Sequence, residues 1–443
     1  MPVTLSDLWI ENVRRAPDAL AVIEGETGRT WSRAALDAAA TDWLQMHTSG
    51  LALRRHRVAL AESNSAAWLA IFIGLLRCGA IVVPLDPAEP TEVRAATACE
   101  AKASWLWDNG QLSTLSRPPR QRPARRDDFC LIKLTSGSTG TPRALRFTHA
   151  QMIADGRQIC ASMRIAPDDL NLGIIPFGHS YGLGNLIMPL LIQGTPILIA
   201  ASPLPSALAA DCAQWKPTVF PAVPALLRAL TLVDIDPAAL ASLRLIISAG
   251  APLTPEIATT FAERFDRRIH SFYGSSETGG ISFDRIGEAA LTGRSVGTPL
   301  EDVCLHFDRG KRFVVESPAV MASGRFSPPD RAELTASGEL VLLGRTGRTA
   351  KIAGRRIDLG EIEALLRATP GVREAYAMPH PTRPDALAAA VAGDITASQL
   401  RESLRACTAL WKIPDRLLVL PELPRNARGK PDCRQIEKLL AEK

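Results

Sequence analysis

The sequence predicts an α/β fold: a large N-terminal domain of two doubly wound sheets with a small β-barrel-like part, followed by a small mobile α+β C-terminal domain. Three observations predict it. Helical and strand patterns alternate from early in the chain, glycine turns sit at strand ends, and from about residue 301 the pattern changes to short alternating segments.

In chain order, Ser65 to Arg77 has the length and side chains of a buried helix, which Gly79 ends. Ile81, Val82 and Val83 make a β-branched strand that Pro84 and Pro87 terminate. Around 171 to 200, NLGIIPF and TPILIA read as strands flanking an apolar helix, and LRLIIS then runs through a Gly/Pro turn into the helix of AGAPLTPEIATTFAERF. In doubly wound sheets of this kind, ligands sit at the carboxyl ends of the strands. VCLHF, KRFVVE and GELVLLG suggest antiparallel strands, and the tail carries a helix at 359 to 368, a strand at 372 to 378 and terminal helices. The glycines and charges around Gly347 make a hinge, which gives domains 1–346 and 347–443.

Composition narrows the function. Hydrophobic residues at 46% and charged residues at 22% exclude disordered and collagen-like classes. A formal net charge of +5 is too weak a bias for nucleic acid to be the main partner, and the basic run RPPRQRPARR at 117 to 126, broken by prolines, reads as a solvated linker. The eight cysteines show no CxxC pair, so neither a zinc site nor a disulfide framework is expected, and reduced thiols fit a cytoplasmic location. No secretory signal is expected at the start, and the apolar run at 66 to 76 falls short of the ~20 residues that span a bilayer.

The stretch LTSGSTGTPRALRFTHA follows the strand FCLIKL directly. A glycine-rich turn at a strand end points successive N–H groups into one concavity that suits a phosphate. Thr135, Ser136, Ser138 and Thr139 add hydroxyls around Gly137 and Gly140, and Arg143 adds a full charge. Alone, the run is equally a surface loop. GSTGTPR lacks the Lys-Ser/Thr pair of a P-loop and carries Pro142 where that loop would enter its helix, which disfavours a P-loop NTPase.

Residues 135 to 149, TSGSTGTPRALRFTH, resemble the signature of the adenylate-forming enzymes, a group that includes acyl-CoA synthetases, aryl-CoA ligases, luciferases and adenylation domains. The other blocks of that family follow in order over nearly the whole chain. YGSSETGG at 273 to 280 resembles the YGxTE block; the resemblance implies that Tyr273 and Gly274 flank the adenine, that Ser276 lies near the α-phosphate and that Glu277 takes Mg²⁺. SAGAPL is similar to the block whose Gly250, Ala251 and Pro252 line the adenine pocket. PFGHSYGLG resembles the segment that places a histidine, here His179, beside the acid substrate; without the resemblance, a histidine in an apolar stretch is more often a core residue.

Asp330 and Arg345 stand at the separation of the family's ribose-binding Asp and its following Arg, although Pro328 and Pro329 replace Thr-Gly. GRTGRTAKIAGRRIDLGEIE matches the hinge block with Gly347 at the hinge position, and implies that Lys351 and Gly354 wall the thiol tunnel. The terminal PRNARGK implies that Lys430 reaches the reacting carboxylate and α-phosphate. Arg143 stands where the family has lysine, keeping the charge on a planar fork.

The resemblance thus implies ATP, Mg²⁺ and coenzyme A as reactants and cofactors, with catalytic roles for Lys430, Glu277 and His179. Adenylation domains for amino acids usually carry an aspartate near His179; none stands between Leu172 and Gly194, which favours a fatty or aryl acid over an amino acid. An acyl carrier protein in place of coenzyme A, and a catalytically idle nucleotide-binding paralogue, remain open at this point.

Overall fold

The computed structural model describes residues 3–115, 128–135, 143–345, 349–352, 355–383, 386–408, 410–426 and 429–442. The Ser65 hydroxyl accepts from the Trp68 amide at 3.0 Å and starts the helix Ala66–Arg77, as an N-cap serine does. Every residue from Trp68 to Leu76 is buried, so over that stretch the helix has no solvent face and lies inside the molecule. Its side chains share one core with Val58, Leu60 and Val82 of a first sheet and with Val22, Ile197 and Ile199 of a second.

The first sheet has the spatial order Gln111–Thr114, Trp105–Asp108, Arg57–Ala61, Ile81–Leu85, β1 (Phe129–Thr135) and β2 (Arg143–Thr148). The strand expected to stop at Pro84 continues to Leu85, in register with Leu60 and Ala61. Proline's φ is compatible with extended backbone, and its missing donor removes only one ladder bond. After β2 the capping box of Thr148 with Gln151 opens helix α1 (His149–Met163).

The second sheet has nine strands. At its centre β3 (Asn171–Gly173), β4 (Val219–Ala222), β5 (Leu245–Ser248) and β6 (Ile269–Ser275) run parallel as neighbours in that order. β7 (Gly279–Phe283) returns antiparallel beside β6 with a shift of register between Tyr273 and Gly274. The NLGIIPF stretch is strand only over Asn171–Gly173; its remainder turns at the strand end and leads into the apolar helical run at 180–193.

The chain divides into two compact units, residues 1–305 with 315–326, and residues 306–314 with 327–443. The second therefore takes in residues that precede the expected hinge, and Gly347 itself lies outside the described residues. That unit holds a sheet of Val372–Pro379, Leu387–Gly393 and Arg416–Leu420, the first pair antiparallel and the second parallel. Helices Leu359–Arg367, Ala397–Cys407 and Cys433–Ala441 accompany it. Short antiparallel pairing is present where alternating segments predicted it, as in Asp330–Leu334 against Leu340–Arg345. Among the described residues no helix is long and apolar enough to cross a membrane.

Candidate active site

Four neighbouring parallel strands of the first unit release their chains at one rim, and the expected substrate residues sit in those four exits. His179 follows β3, Ala222 to Ala225 end β4 and start the next helix, Gly250 to Pro252 follow β5, and Tyr273 to Glu277 close β6. A crevice at the carboxyl ends of parallel strands is where an open α/β sheet binds its ligand.

Local sequence explains how each exit turns. His179 is exposed at the N-cap position of the helical run, and the chain there folds back so tightly that a Cβ on Gly182 would lie 2.1 Å from the Pro176 carbonyl oxygen. Only glycine permits that approach. The Ser180 hydroxyl then donates to the Ser276 hydroxyl at 3.0 Å, tying the β3 exit to the β6 exit. The Tyr181 hydroxyl donates to the Ile247 carbonyl at 3.1 Å and lies 3.3 Å from the Ala222 carbonyl. Burial pushes this phenol well above the usual tyrosine range, so it stays neutral.

The β6–β7 turn carries Ser276 and Glu277 at its tip. Two reciprocal bonds close it: the Ser275 amide donates to the Thr278 hydroxyl, and the Thr278 amide to the Ser275 hydroxyl, both at 3.3 Å. The Glu277 carbonyl accepts from the Met321 amide at 3.0 Å, which fixes the main chain beneath the carboxylate. Mg²⁺ commonly binds through one or two carboxylates together with substrate phosphates, so a single pinned, half-buried Glu277 fits the ion without a larger cluster.

Beneath this turn lie two charged side chains that motif reasoning missed. Lys133 on β1 is 4% exposed, with its ammonium 4.3 Å from the centre of the Phe147 ring. Asp155 on α1 is 3% exposed and accepts from the Gly280 amide at 3.0 Å. Burial pulls the lysine down and pushes the aspartate up; the charge of each opposes the shift of the other, and Glu277 also favours the charged ammonium. A lysine inside the apolar FCLIKL strand, and polar residues at 151, 155, 158 and 162 along one face of the helix, were the signals available in the sequence.

The loop residues Ser136, Gly137, Ser138, Thr139 and Gly140 lie outside the described residues, as does Gly354. The ends of that loop are in place: Thr135 and Arg143 are register partners across β1 and β2. In the second unit Asp330 and Arg345 are also register partners, which brings the two expected ribose residues together on adjacent strands. Lys351 is paired with Arg356 in a two-stranded hairpin. Lys430 is exposed, its amide donating to the Asn426 side-chain oxygen at 3.1 Å and its carbonyl accepting from the Asn426 amide at 2.8 Å.

Parallel strands that present a histidine, a glycine turn, an aromatic ring and a carboxylate at one rim define a ligand-binding α/β protein of the doubly wound class. The chain belongs to the AMP-binding enzyme family, whose sequence profile matches residues 9–107 and 91–307. This agrees with the resemblance drawn from the sequence blocks. Tyrocidine synthase 3 of Brevibacillus parabrevis is 24% identical over 97% of this chain, which spans 7% of that protein's length. Feruloyl-CoA synthase of an Amycolatopsis species is 26% identical over 95% of this chain and 96% of its own. Among solved structures, ATP-bound MatB from Rhodopseudomonas palustris shares the fold, with a TM-score of 0.82 at 20% identity over 99% of both chains.

Proposed function

We propose that this protein is an AMP-forming ligase that joins a carboxylic acid to the thiol of coenzyme A through an acyl-adenylate. The observation that carries the reading is the convergence of His179, Gly250 to Pro252 and Tyr273 to Glu277 on one rim of the nine-stranded sheet. Membership of the AMP-binding family and likeness to a feruloyl-CoA synthase support it.

In the first step a carboxylate oxygen of the acid bonds to the α-phosphorus of ATP, the bond to the β-phosphate bridge breaks, and pyrophosphate leaves. Tyr273 with Gly274 and the Gly250 to Pro252 turn hold the adenine, Asp330 and Arg345 hold the ribose, and residues 135 to 143 hold the departing phosphates. Ser276 lies against the α-phosphate. Lys430 supplies fixed positive charge where phosphoryl oxygens gain negative charge, the kind of electrostatic support that lowers a barrier most. Glu277 would hold Mg²⁺, which would supply neutralisation of phosphate charge. His179 flanks the acid.

In the second step the thiol, presented along Lys351 and Gly354, attacks the acyl carbon as its sulfur loses a proton, and AMP departs with the electron pair. The acid is fatty or aryl, a reading supported by the lack of an aspartate between Leu172 and Gly194, where adenylation domains for amino acids usually carry one. The eight free cysteines fit a reducing compartment, and the cytoplasm is the location proposed.

ATP–pyrophosphate exchange across fatty, aryl and amino acids, without thiol, tests the first step. Exchange with one acid class is expected, and Lys430→Ala is expected to lose about 100-fold or more. No exchange in a protein that still binds ATP would instead identify a nucleotide-binding paralogue without catalysis. Adding coenzyme A or a pantetheine-bearing carrier protein to the adenylate then reads the acceptor.

A further inference from the structure

Helix α1 begins directly after the strand that leaves the 135 to 143 loop, and one of its faces is polar although it is buried. Along that face Gln151 donates to the Val320 carbonyl at 2.8 Å, Asp155 accepts from the Gly280 amide, Gln158 donates to the Ser317 hydroxyl at 3.0 Å, and Ser162 accepts from the Glu301 amide at 3.1 Å. Asp155 is the ionisable member, and its bond falls where the β6–β7 ladder shifts register. Bulges of this kind re-aim side chains and leave main-chain groups that need another partner. The carboxylate also occupies the space beside Gly279: with φ at +70°, a Cβ there would lie 2.2 Å from the carboxylate oxygen.

We propose that Asp155 is a positioning residue for the nucleotide site: its carboxylate, bonded to the Gly280 amide and lying against Gly279, holds the 276 to 280 turn in the conformation that presents Ser276 and Glu277 at the rim. The roles of Ser276 and Glu277 rest on the adenylation reading; the geometry of the turn does not. An isolated buried carboxylate is costly, and a buried pair is retained only with good compensation. Here the Gly280 amide donates to the carboxylate and the Lys133 charge favours its ionised form, so helix α1 and the Glu277 turn are joined through one carboxylate.

The test compares Asp155→Ala, Lys133→Met/Asp155→Asn and Gln158→Leu in the full chain. The double variant removes both charges but keeps an oxygen acceptor for the Gly280 amide, and Gln158→Leu removes an equally buried bond on the same helix face that does not reach the turn. Amide hydrogen exchange is read on a peptide spanning 273 to 283, and KM for ATP, kcat and Mg²⁺ dependence are read from pyrophosphate exchange. Asp155→Ala is expected to lose protection in that peptide and to raise KM for ATP and the Mg²⁺ requirement about tenfold, whereas the double variant recovers to within about threefold. Gln158→Leu is expected to lower the melting temperature without shifting KM. Unchanged protection at 276 to 280 in Asp155→Ala, or equal kinetic shifts in Asp155→Ala and Gln158→Leu, would overturn the positioning role. If Asp155→Ala does not fold, the double variant decides: lost protection in a folded molecule overturns the role, and kept protection supports it. A wild-type protein silent with every acid would sink the ligase reading while the amide-exchange comparison still decided the role of Asp155.

Discussion

The interior of the first unit and the surface of the second hold charge in different ways. In the first, Lys133 and Asp155 are nearly enclosed, and the charge of each favours the ionised form of the other. In the second, ion pairs such as Arg383 with Asp415 and Lys311 with Glu333 lie at the surface, with side chains near half-exposed or more. The contrast separates two uses of charge. Solvated pairs contribute little stability, because water competes for both partners. A buried pair contributes little net stability either, but removing one partner strands the other, so such a pair fixes geometry.

The largest break in that contrast comes from Lys133→Met alone, which leaves Asp155 uncompensated; urea unfolding should show a loss of about 3 kcal/mol. Restored stability on adding Asp155→Asn would confirm that the cost was a stranded charge and not lost packing. Next comes Gly279→Ala, which forces a side chain into a left-handed backbone against the Asp155 carboxylate; the expected loss is about 2 kcal/mol, with the turn displaced.

Acidification should act on the first unit through two histidines. Burial holds His149 and His270 below their usual range: the His149 Nδ1 accepts from the Leu5 amide, and the His270 Nδ1 donates to the Asp284 carbonyl at 2.8 Å. The unfolded chain therefore binds more protons than the folded one once pH falls towards 6.5, and stability should drop as pH is lowered through that value, by no more than about 1.4 kcal/mol per pH unit for each group. A pH–stability curve unchanged in a His149→Gln/His270→Gln variant would remove the histidines from the account. The smallest effect is expected from Arg383→Ala in the second unit, within about 0.5 kcal/mol by the same unfolding assay. A larger loss there would blur the distinction between the units.

Much of the rim was legible in the sequence. Ser65 announced a helix start, the β-branched strands and Gly/Pro turns marked parallel units, and the blocks around Gly250 and Tyr273 stood at strand ends where a ligand crevice forms. Pro84 misled, since extended backbone accommodates proline where a sequence pattern reads a stop. Lys133 and Asp155 escaped notice because each has a plain local reading: a lysine near a strand end is usually solvated, and an aspartate in a helix usually faces water. The spacing of Gln151, Asp155, Gln158 and Ser162 gave the polar face of the helix, but not whether that face met solvent or another sheet.

The sequence by itself determined the alternation of elements, the order of the blocks and the family they mark, because periodicity, caps and turn residues act over a few neighbours along the chain. Tertiary structure alone decided that Ser180 would meet Ser276, that Asp330 would stand opposite Arg345, and that Asp155 would reach the amide of Gly280. Those pairings depend on register and on which faces are enclosed, and both are set by packing between segments far apart in the chain.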